Sequence, residues 1–313
     1  MFKKLNLFLA LTICACILCN ISADEPKVKT GFLTTSKGRI FYRIAGYDKS
    51  GVPLIVLHGG PAYPHNYLQT LDSLSDKRPV IYYDQMGCGQ SDRKLAKDNW
   101  TIDYYVSELA EIINLLKLKE FHLFGHSWGT IISEEYILKE KPQGLKKVIM
   151  SGTFISGRRW RRDADDNIAK LPQKYRTAIA LAVQTDNYDT PSFKEADDYY
   201  ATQYGRRHGK PECMKMSDKT MNNDIYVYMN GPSEFTTAKG TLSSYEGTEK
   251  AEDITNPVLF ICGDHDESSP KSNIEFCTYF KNSQLLVVPD AGHSSHLDNP
   301  QVVHAAIDTF LSK

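Results

Sequence analysis

The chain has 313 residues, of which 41% are hydrophobic and 24% charged, and its formal net charge at pH 7 is −1. This length fits one large globular domain, or one domain that carries an insertion. The near-zero charge gives no indication of a nucleic-acid partner or of binding to an anionic membrane surface. The one basic cluster, residues 158–162, is followed at once by acidic residues, so we interpret it as a solvated face.

The first 23 residues differ in composition from the rest of the chain. Lys3 and Lys4 precede a short apolar stretch that ends in small and polar residues near Ala23. This layout is typical of a secretory signal peptide, and the stretch is short for a membrane span, which needs about 20 apolar residues. We expect export to the periplasm or the medium, with no stable span unless the leader is retained. A small residue precedes Cys16, so lipid attachment is a second possibility.

Four cysteines lie outside the leader: Cys88, Cys213, Cys262 and Cys277. They have neither the Cys-x-x-Cys spacing nor the pairing with histidine that is typical of metal sites. A chain of this length needs no disulfide to fold, so we interpret them as small buried apolar residues. We expect no metal and no organic cofactor.

Short apolar runs alternate with helical patterns over the first half of the chain. Residues 39–46 predict an edge strand. In the helix predicted at 101–117, apolar residues recur three or four positions apart and form one apolar face. Further strands are predicted by the apolar runs at 53–60, 79–85, 121–125 and 146–152. This alternation predicts a mostly parallel sheet with helices on both faces.

The alternation stops near Gly152. Residues 158–245 are polar, rich in tyrosine and helical in pattern. Strand-like runs return at 257–263 and 284–290, with helices predicted near 272–280 and from Pro300 onwards. One α/β domain with a helical insertion explains this order better than two serial domains, because neither flank has a complete set of strands. We expect a core formed by 31–151 and 248–313, and a helical lid at 152–247 over the strand ends.

The motif "GHSWG" directly follows an apolar run and centres on Ser127. A sharp turn from strand to helix requires both glycines, because side chains would collide there, and it exposes the serine at the tip of the strand. We interpret Ser127 as a nucleophile and the preceding His126 as a packing residue. The alternative is an ordinary turn in which Ser127 caps a helix.

A serine nucleophile needs a base and an acid that orients the base, and in this architecture they follow in the order serine, acid, histidine. Asp266 and His293 each lie just past the end of a predicted strand, where open α/β sheets build their sites. We favour this pair over the nearby alternatives, Asp264 and His296.

The tetrahedral intermediate of acyl transfer needs two backbone amide donors. We expect one from Trp128, the residue after the nucleophile. The loop "HGGPA" follows an early strand, and its two glycines allow a backbone amide to approach the substrate oxygen. We therefore expect the second donor to be Gly60; a Gly-Pro turn that closes the strand is the alternative interpretation.

Five separated motifs, "LHGGPA", "YDQMGCGQSD", "GHSWGT", "MNGPSEFTTAKGTL" and "GDHDESSP", resemble the proline iminopeptidase family of α/β-hydrolases, which includes the tricorn-interacting aminopeptidases. The similarity runs from about Gly31 to the C-terminus and implies an α/β-hydrolase fold with a helical lid. It also implies that Glu234 and Glu267 bind the free α-ammonium of the substrate, since a partly desolvated cation needs carboxylates. The chain departs from the family at Ala62, usually glycine, and at Met86, often arginine.

Together these features predict an exported serine aminopeptidase that releases an N-terminal residue, preferably proline, from small peptide or aminoacyl substrates through an acyl-enzyme. The nearest alternative is an amino-acid amidase or esterase on the same site. A general carboxylesterase would give Glu234 and Glu267 no role, and a ligand-binding receptor on a hydrolase fold is an alternative of another class. Epoxide and haloalkane hydrolases are disfavoured, because they use an aspartate at the position of Ser127.

Overall fold

An eight-stranded, mostly parallel sheet forms the centre of the computed structural model, which describes residues 25–313 without the side chains of 236–238. The strand order is β1-β2-β4-β3-β5-β6-β7-β8; β1 and β2 are antiparallel to their neighbours, and the others are parallel. The predicted leader lies outside the described residues. The strands are β1 Val28–Thr35, β2 Gly38–Ala45, β3 Leu54–Leu57, β4 Val80–Tyr83, β5 Phe121–His126, β6 Leu145–Ser151, β7 Val258–Gly263 and β8 Ser283–Val288.

The predicted edge strand, β2, is in fact an inner strand. It pairs with β4 on one side and with β1 on the other, so the prediction for residues 39–46 was wrong in position. The edge strand on this side of the sheet is β1. It is largely exposed and rich in polar residues, and this is why no apolar run indicated it. Phe32 of β1 is 50% exposed and packs edge-on against Phe41 of β2.

Alternating side chains along the strands build one hydrophobic cluster on each face of the sheet. In β3, Leu54 and Val56 belong to one cluster while Ile55 and Leu57 belong to the other. This is the pattern of parallel strands covered on both faces. Helices α1 Ile102–Leu115, α2 Trp128–Glu140, α8 Pro270–Tyr279, α9 Ser295–Asp298 and α10 Pro300–Ser312 accompany the strands, together with a 3-10 helix at His65–Asp76.

The first of these helices matches its predicted segment closely. Thr101, the first residue of the predicted range, precedes α1, and its side chain accepts a hydrogen bond from the amide of Tyr104, so it caps the helix. The predicted apolar face is buried at Val106, Leu109 and Ile113. The short-range pattern was therefore sufficient to place this element.

Between β6 and β7 the described chain consists of helices joined by loops, with one isolated bridge between Ser156 and Glu246. Apolar side chains from several helices, including Ile179, Phe193 and Phe235, form a separate core for this region. Its helices are α3 Gly157–Ala169, α4 Gln173–Thr185, α5 Pro191–Tyr200, a π-helix at Ala201–Gly205, α6 Glu212–Thr220, α7 Asn223–Met229 and 3-10 helices at Glu234–Lys239, Thr241–Ser244 and Thr248–Asp253.

Two contacts attach these helices to the carboxyl end of the sheet. Ser217 of α6 donates a hydrogen bond to the carbonyl of Pro64 (2.8 Å) and accepts one from the amide of Tyr67 (3.2 Å). The π-helix places the carbonyl of Tyr204 2.7 Å from the amide of His293. The helical region therefore contacts the loops that follow β3 and β8.

The cysteines of the described chain are all free: Cys88, Cys262 and Cys277 are buried, and Cys213 is half-buried. Between residues 25 and 313, no group of three or more histidine, cysteine or acidic side chains could hold a metal ion. In that same range, no helix is long and apolar enough to cross a membrane.

Candidate active site

Ser127 lies in a strained turn between β5 and α2, with φ 53° and ψ −120°. A non-glycine residue rarely adopts a positive φ, and such strain costs about 1–3 kcal/mol. The flanking glycines are required as expected: a Cβ at Gly125 would overlap the carbonyl of Gly129, and a Cβ at Gly129 would overlap the carbonyl of Leu57. The turn therefore presents the serine at the carboxyl end of β5.

His293 and Asp266 form a buried pair in the loops that follow β8 and β7. The Nδ1 atom of His293 lies 2.8 Å from Oδ1 of Asp266. The carboxylate also accepts hydrogen bonds from the amides of Ser268 (2.9 Å) and Gly263 (3.2 Å), which hold it in place. Because Asp266 is an acceptor on every side, it selects the tautomer of His293 that carries a proton on Nδ1 and leaves Nε2 free to act as a base.

The carboxylates around His293 also set its charge. Burial alone would lower the pKa of His293, but Asp266, Glu267 and Glu234 together outweigh burial and raise that pKa to about 9. In the free protein these carboxylates therefore favour the protonated imidazole. A cation bound beside the two glutamates would weaken their field and favour the neutral imidazole that a general base requires.

The nucleophile turn and the histidine loop meet directly. The Nε2 atom of His126 lies 3.0 Å from the carbonyl oxygen of His293, and the two imidazole rings are 4.7 Å apart. Gly152, with φ 55°, makes room for the His293 ring, since a Cβ there would lie 2.6 Å from Nδ1. The structure thus places Ser127, Asp266 and His293 at the carboxyl end of the sheet.

The competing residues occupy other positions. Asp264 accepts hydrogen bonds from the amides of Asp290 (3.0 Å) and Ala291 (3.1 Å), so it shapes the loop that precedes His293. His296 is fully buried, and burial lowers its pKa to about 3. Both of its ring nitrogens lack a hydrogen-bond partner of normal geometry among the described residues. It is His293, and not His296, that the structure pairs with an acid.

The two expected amide donors, Gly60 and Trp128, lie in the loop after β3 and at the first residue of α2. The amide of Gly59 already donates to the hydroxyl of Tyr67 (2.8 Å), so it is not the donor in this loop. Within residues 25–313, the amides of Gly60 and Trp128 donate to no protein acceptor. A Cβ at Gly59 would lie 3.1 Å from Cβ of Ser127, so the loop is close enough to face the reacting carbonyl.

Ala62, the position at which the family usually has glycine, has a left-handed backbone with φ 62°. An alanine there is strained, whereas glycine adopts this conformation at no steric cost. The alanine is buried, and its carbonyl accepts a hydrogen bond from the amide of Asn222 in the helical region. Ala62 therefore adopts the left-handed conformation that a glycine at this position would favour.

Glu234 and Glu267 lie beside the acid–histidine pair. Glu267 is 4% exposed, and its Oε2 atom has no hydrogen-bond partner in the part of the chain that the structure describes. Glu234 accepts a hydrogen bond from the hydroxyl of Tyr226 (2.6 Å). Burial raises the pKa of both carboxyls, and the charge of Glu234 raises that of Glu267 further. Such a pair is stabilised by a cation.

The sequence analysis missed three residues at this site: Tyr67, Tyr226 and Asp197. Asp197 on α5 is half-buried, and burial together with the charge of Glu234 raises its pKa to about 7. None of the three lies in a recognised motif, and two come from the helical region, where helix packing decides which residues face the site. No signal in the sequence alone would have found them.

The arrangement combines the parts of an acyl-transfer site. The strained serine follows His126, which contacts His293, and Asp266 orients that histidine. Two backbone amides without an acceptor in the described chain could donate to a negatively charged oxygen. The buried carboxylate of Glu267 and the half-buried carboxylate of Glu234 add a place for a cation at the same site.

Comparison with known proteins identifies the fold and the family of the chain. The sequence profile described as "alpha/beta hydrolase fold" matches residues 52–300. The proline iminopeptidase of Heyndrickxia coagulans is 36% identical over 284 residues, which cover 90% of this chain and 98% of that protein. The proline iminopeptidase of Clostridium botulinum is 34% identical over 296 residues, covering 92% and 99%. The predicted α/β-hydrolase fold is thus confirmed.

Solved structures show the same relationship. The proline iminopeptidase of Mycobacterium smegmatis superposes with a TM-score of 0.84 at 30% identity, covering 91% of this chain and 98% of that one. VinJ superposes with a TM-score of 0.87 at 27% identity, covering 92% and 99%. An esterase from Exiguobacterium antarcticum, at 19% identity and a TM-score of 0.67, shares the fold alone. The chain belongs to the proline iminopeptidase family of α/β-hydrolases.

Proposed function

We propose that the chain is a serine aminopeptidase that releases an N-terminal residue, preferably proline, from short peptides. The observation that carries the proposal is the buried carboxylate of Glu267, which directly follows Asp266 and has an Oε2 atom without a protein partner in the described chain. A free α-ammonium supplies a donor for the unpartnered Oε2 atom of Glu267 and a positive charge beside both Glu267 and Glu234.

The reaction proceeds through an acyl-enzyme. Ser127 attacks the first carbonyl carbon of the peptide while Nε2 of His293 takes the proton from its hydroxyl, and Asp266 stabilises the imidazolium that forms. The amides of Gly60 and Trp128 donate to the oxyanion. The imidazolium then protonates the departing amine, and a water molecule, activated by His293, releases the N-terminal residue.

Anchoring the ammonium explains why cleavage is limited to the first peptide bond. In an α-amino acid the ammonium and the carbonyl carbon are separated by a single carbon atom. A substrate held by Glu234 and Glu267 therefore presents only its first carbonyl to Ser127. A blocked or internal peptide bond offers no charge to these glutamates, and the buried carboxylates remain uncompensated.

The preference for proline is supported by the relatives, which are named proline iminopeptidases. The surroundings of His293 suit an apolar ring. Trp160 lies edge-on to the His293 ring at 5.4 Å and stacks on Phe154 at 4.6 Å. An aromatic wall of this kind contacts a pyrrolidine ring without requiring a polar partner from it.

The test compares a proline anilide with its N-acetyl form in the wild type, Glu234→Gln and Glu267→Gln. We expect the wild type to cleave the free form only. Each substitution removes a charge-assisted bond worth about 1.5–3 kcal/mol, so kcat/KM for the free form should fall roughly tenfold to hundredfold. An acyl nitrophenyl ester, which has no ammonium, should show no such loss in either variant, because removing a glutamate charge lowers the pKa of His293 and favours its neutral form.

Glu252→Gln, which makes the same chemical change at an exposed position of the same region, is the matched control and should match the wild type. Equal rates on free and blocked anilide would contradict the aminopeptidase and leave an esterase. Cleavage of aminoacyl amides and esters but not of peptides would favour the amidase or esterase. A single slow event without turnover would favour the receptor.

We also propose that the protein is exported, on the composition of residues 1–23 alone. Expression in a host with an export pathway, followed by intact-mass measurement, should show a chain that begins near Asp24 or one with a lipid on Cys16. An unmodified Met1 on soluble cytoplasmic protein would contradict export.

A further inference from the structure

Two buried side chains outside the reacting groups join the three loops of the site. Tyr67, from the 3-10 helix at His65–Asp76, accepts a hydrogen bond from the amide of Gly59 at 2.8 Å. Its oxygen also lies 2.8 Å from Nδ1 of His126, whose Nε2 lies 3.0 Å from the carbonyl oxygen of His293. Tyr67 and His126 are 2% and 3% exposed, so water does not compete for these bonds.

Only one assignment of protons gives each of these hydrogen bonds a donor and an acceptor. The Gly59 amide can only donate, so the Tyr67 oxygen accepts and its O–H donates to Nδ1 of His126. The proton of His126 is then on Nε2, which donates to the carbonyl of His293. Burial lowers the pKa of His126 well below its usual range, with the neighbouring His293 and His296 adding to the effect, so the ring is neutral as this assignment requires.

The residues joined by these hydrogen bonds are adjacent in sequence to the reacting groups or belong to them. Gly59 precedes Gly60, His126 precedes Ser127, and the carbonyl belongs to His293 itself. One hydrogen-bonded path therefore connects the oxyanion loop, the nucleophile turn and the base. These three loops follow β3, β5 and β8 and have no covalent connection near the site.

The helical region forms hydrogen bonds with two residues of this path, Tyr67 and His293. The amide of Tyr67 donates to the buried Ser217 of α6 (3.2 Å), and the amide of His293 donates to the carbonyl of Tyr204 (2.7 Å). The backbone of His293 is thus held on its N–H by the helical region and on its C=O by His126.

We propose that Tyr67 and His126 are positioning residues for acyl transfer, which hold the Gly60 amide, Ser127 and His293 in the relative geometry that the tetrahedral intermediate requires. The inference rests on the proposed function only in taking Ser127 as the nucleophile and His293 as its base. Small displacements of such groups are costly, because catalysis depends on alignment to within a fraction of an ångström.

The test variant is Tyr67→Phe, which keeps the ring and removes the central hydroxyl. Tyr83→Phe is the matched control: Tyr83 is also fully buried, but its hydroxyl has no hydrogen-bond partner in the described chain. With proline anilide we expect Tyr67→Phe to lower kcat roughly tenfold to hundredfold and to change KM by less than about twofold, because the ammonium site is untouched. The control should keep wild-type kinetics.

A fluorophosphonate that carries no amine measures the same geometry without the aminopeptidase substrate. Its phosphorus forms a bond to Oγ of Ser127 as fluoride leaves, and the serine proton passes to His293. We expect the rate of this reaction to fall in Tyr67→Phe by about the same factor as kcat. If the wild type reacts with the reagent but does not cleave the anilide, the proposed function is wrong while the positioning role is still measured.

A double-variant cycle tests whether the two residues act together. His126→Gln retains an amide N–H for the carbonyl of His293 but has no acceptor atom at the position of Nδ1, to which Tyr67 donates. If the path acts as a unit, the double variant should be about as slow as the slower single variant, whereas independent losses multiply. Multiplied losses, or a Tyr67→Phe variant that matches Tyr83→Phe in kcat and in phosphonylation, would overturn the proposal. So would a wild type that does not react with the fluorophosphonate.

Discussion

Ser127→Ala should lower kcat on proline anilide by about four to six orders of magnitude and leave the free energy of unfolding within about 1 kcal/mol of the wild type. The loss is large because serine, histidine and aspartate act as a unit, so removing the nucleophile leaves His293 and Asp266 without a reaction to assist. Stability changes little, since Ser127 keeps a positive φ of 53° with either side chain and only one hydroxyl is lost.

The measurement is steady-state hydrolysis together with urea unfolding of both proteins. Ser151→Ala is the matched control, because Ser151 is fully buried at the end of β6 and its hydroxyl has no partner in the described residues. That variant should retain nearly full activity. A Ser127→Ala protein with a substantial fraction of the wild-type rate would show that the nucleophile lies elsewhere.

Asp266→Asn should lower kcat by about three to four orders of magnitude. The aspartate accepts from Nδ1 of His293 and from two backbone amides, and an asparagine can present its oxygen to only one side. Whichever way the amide turns, an N–H group then faces another N–H group or the imidazole adopts the unproductive tautomer. Some loss of stability should accompany the loss of rate, because buried donors are left unpaired.

The same substitution should change the pH dependence. In the wild type the base is active only when neutral, so kcat/KM should rise with pH towards the pKa of about 9 that the carboxylates impose on His293. Without the charge of Asp266, burial counts for more and the pKa of His293 falls. In the variant, kcat/KM should therefore begin to rise at a lower pH than in the wild type and should reach a much lower maximum.

The measurement is kcat/KM from pH 5 to 10, with an ester substrate used to separate this limb from titration of the substrate amine. Asp264→Asn is the control, since Asp264 binds backbone amides of the preceding loop and does not contact His293. If Asp264→Asn shifted the limb and Asp266→Asn did not, the assignment of the acid would be wrong. His293→Ala should be as inactive as Ser127→Ala, and a more severe loss in His296→Ala would contradict the choice of base.

The sequence alone determined the features that depend on residues close together in the chain. The turn at Ser127 is readable because both neighbouring glycines must lack a Cβ for a strand to pass so sharply into a helix. The alternation of apolar runs and helical patterns is likewise local, and it sufficed to predict the parallel sheet and the ends at which Asp266 and His293 lie. Because chain order within this architecture is restricted, three separated motifs were enough to predict a site.

The tertiary structure alone decided which side chains of the helical region and of the sheet meet. It paired His293, three residues from His296, with Asp266, because the loop after β8 turns one imidazole towards the acid and buries the other against Tyr67 and His126. It also made β1 the edge of the sheet, although its polar sequence has no apolar run. The contacts of Tyr67, Tyr226 and Asp197 depend on how helices distant in sequence pack over the strand ends. These contacts follow from the packing of the whole core, which no short stretch of sequence encodes.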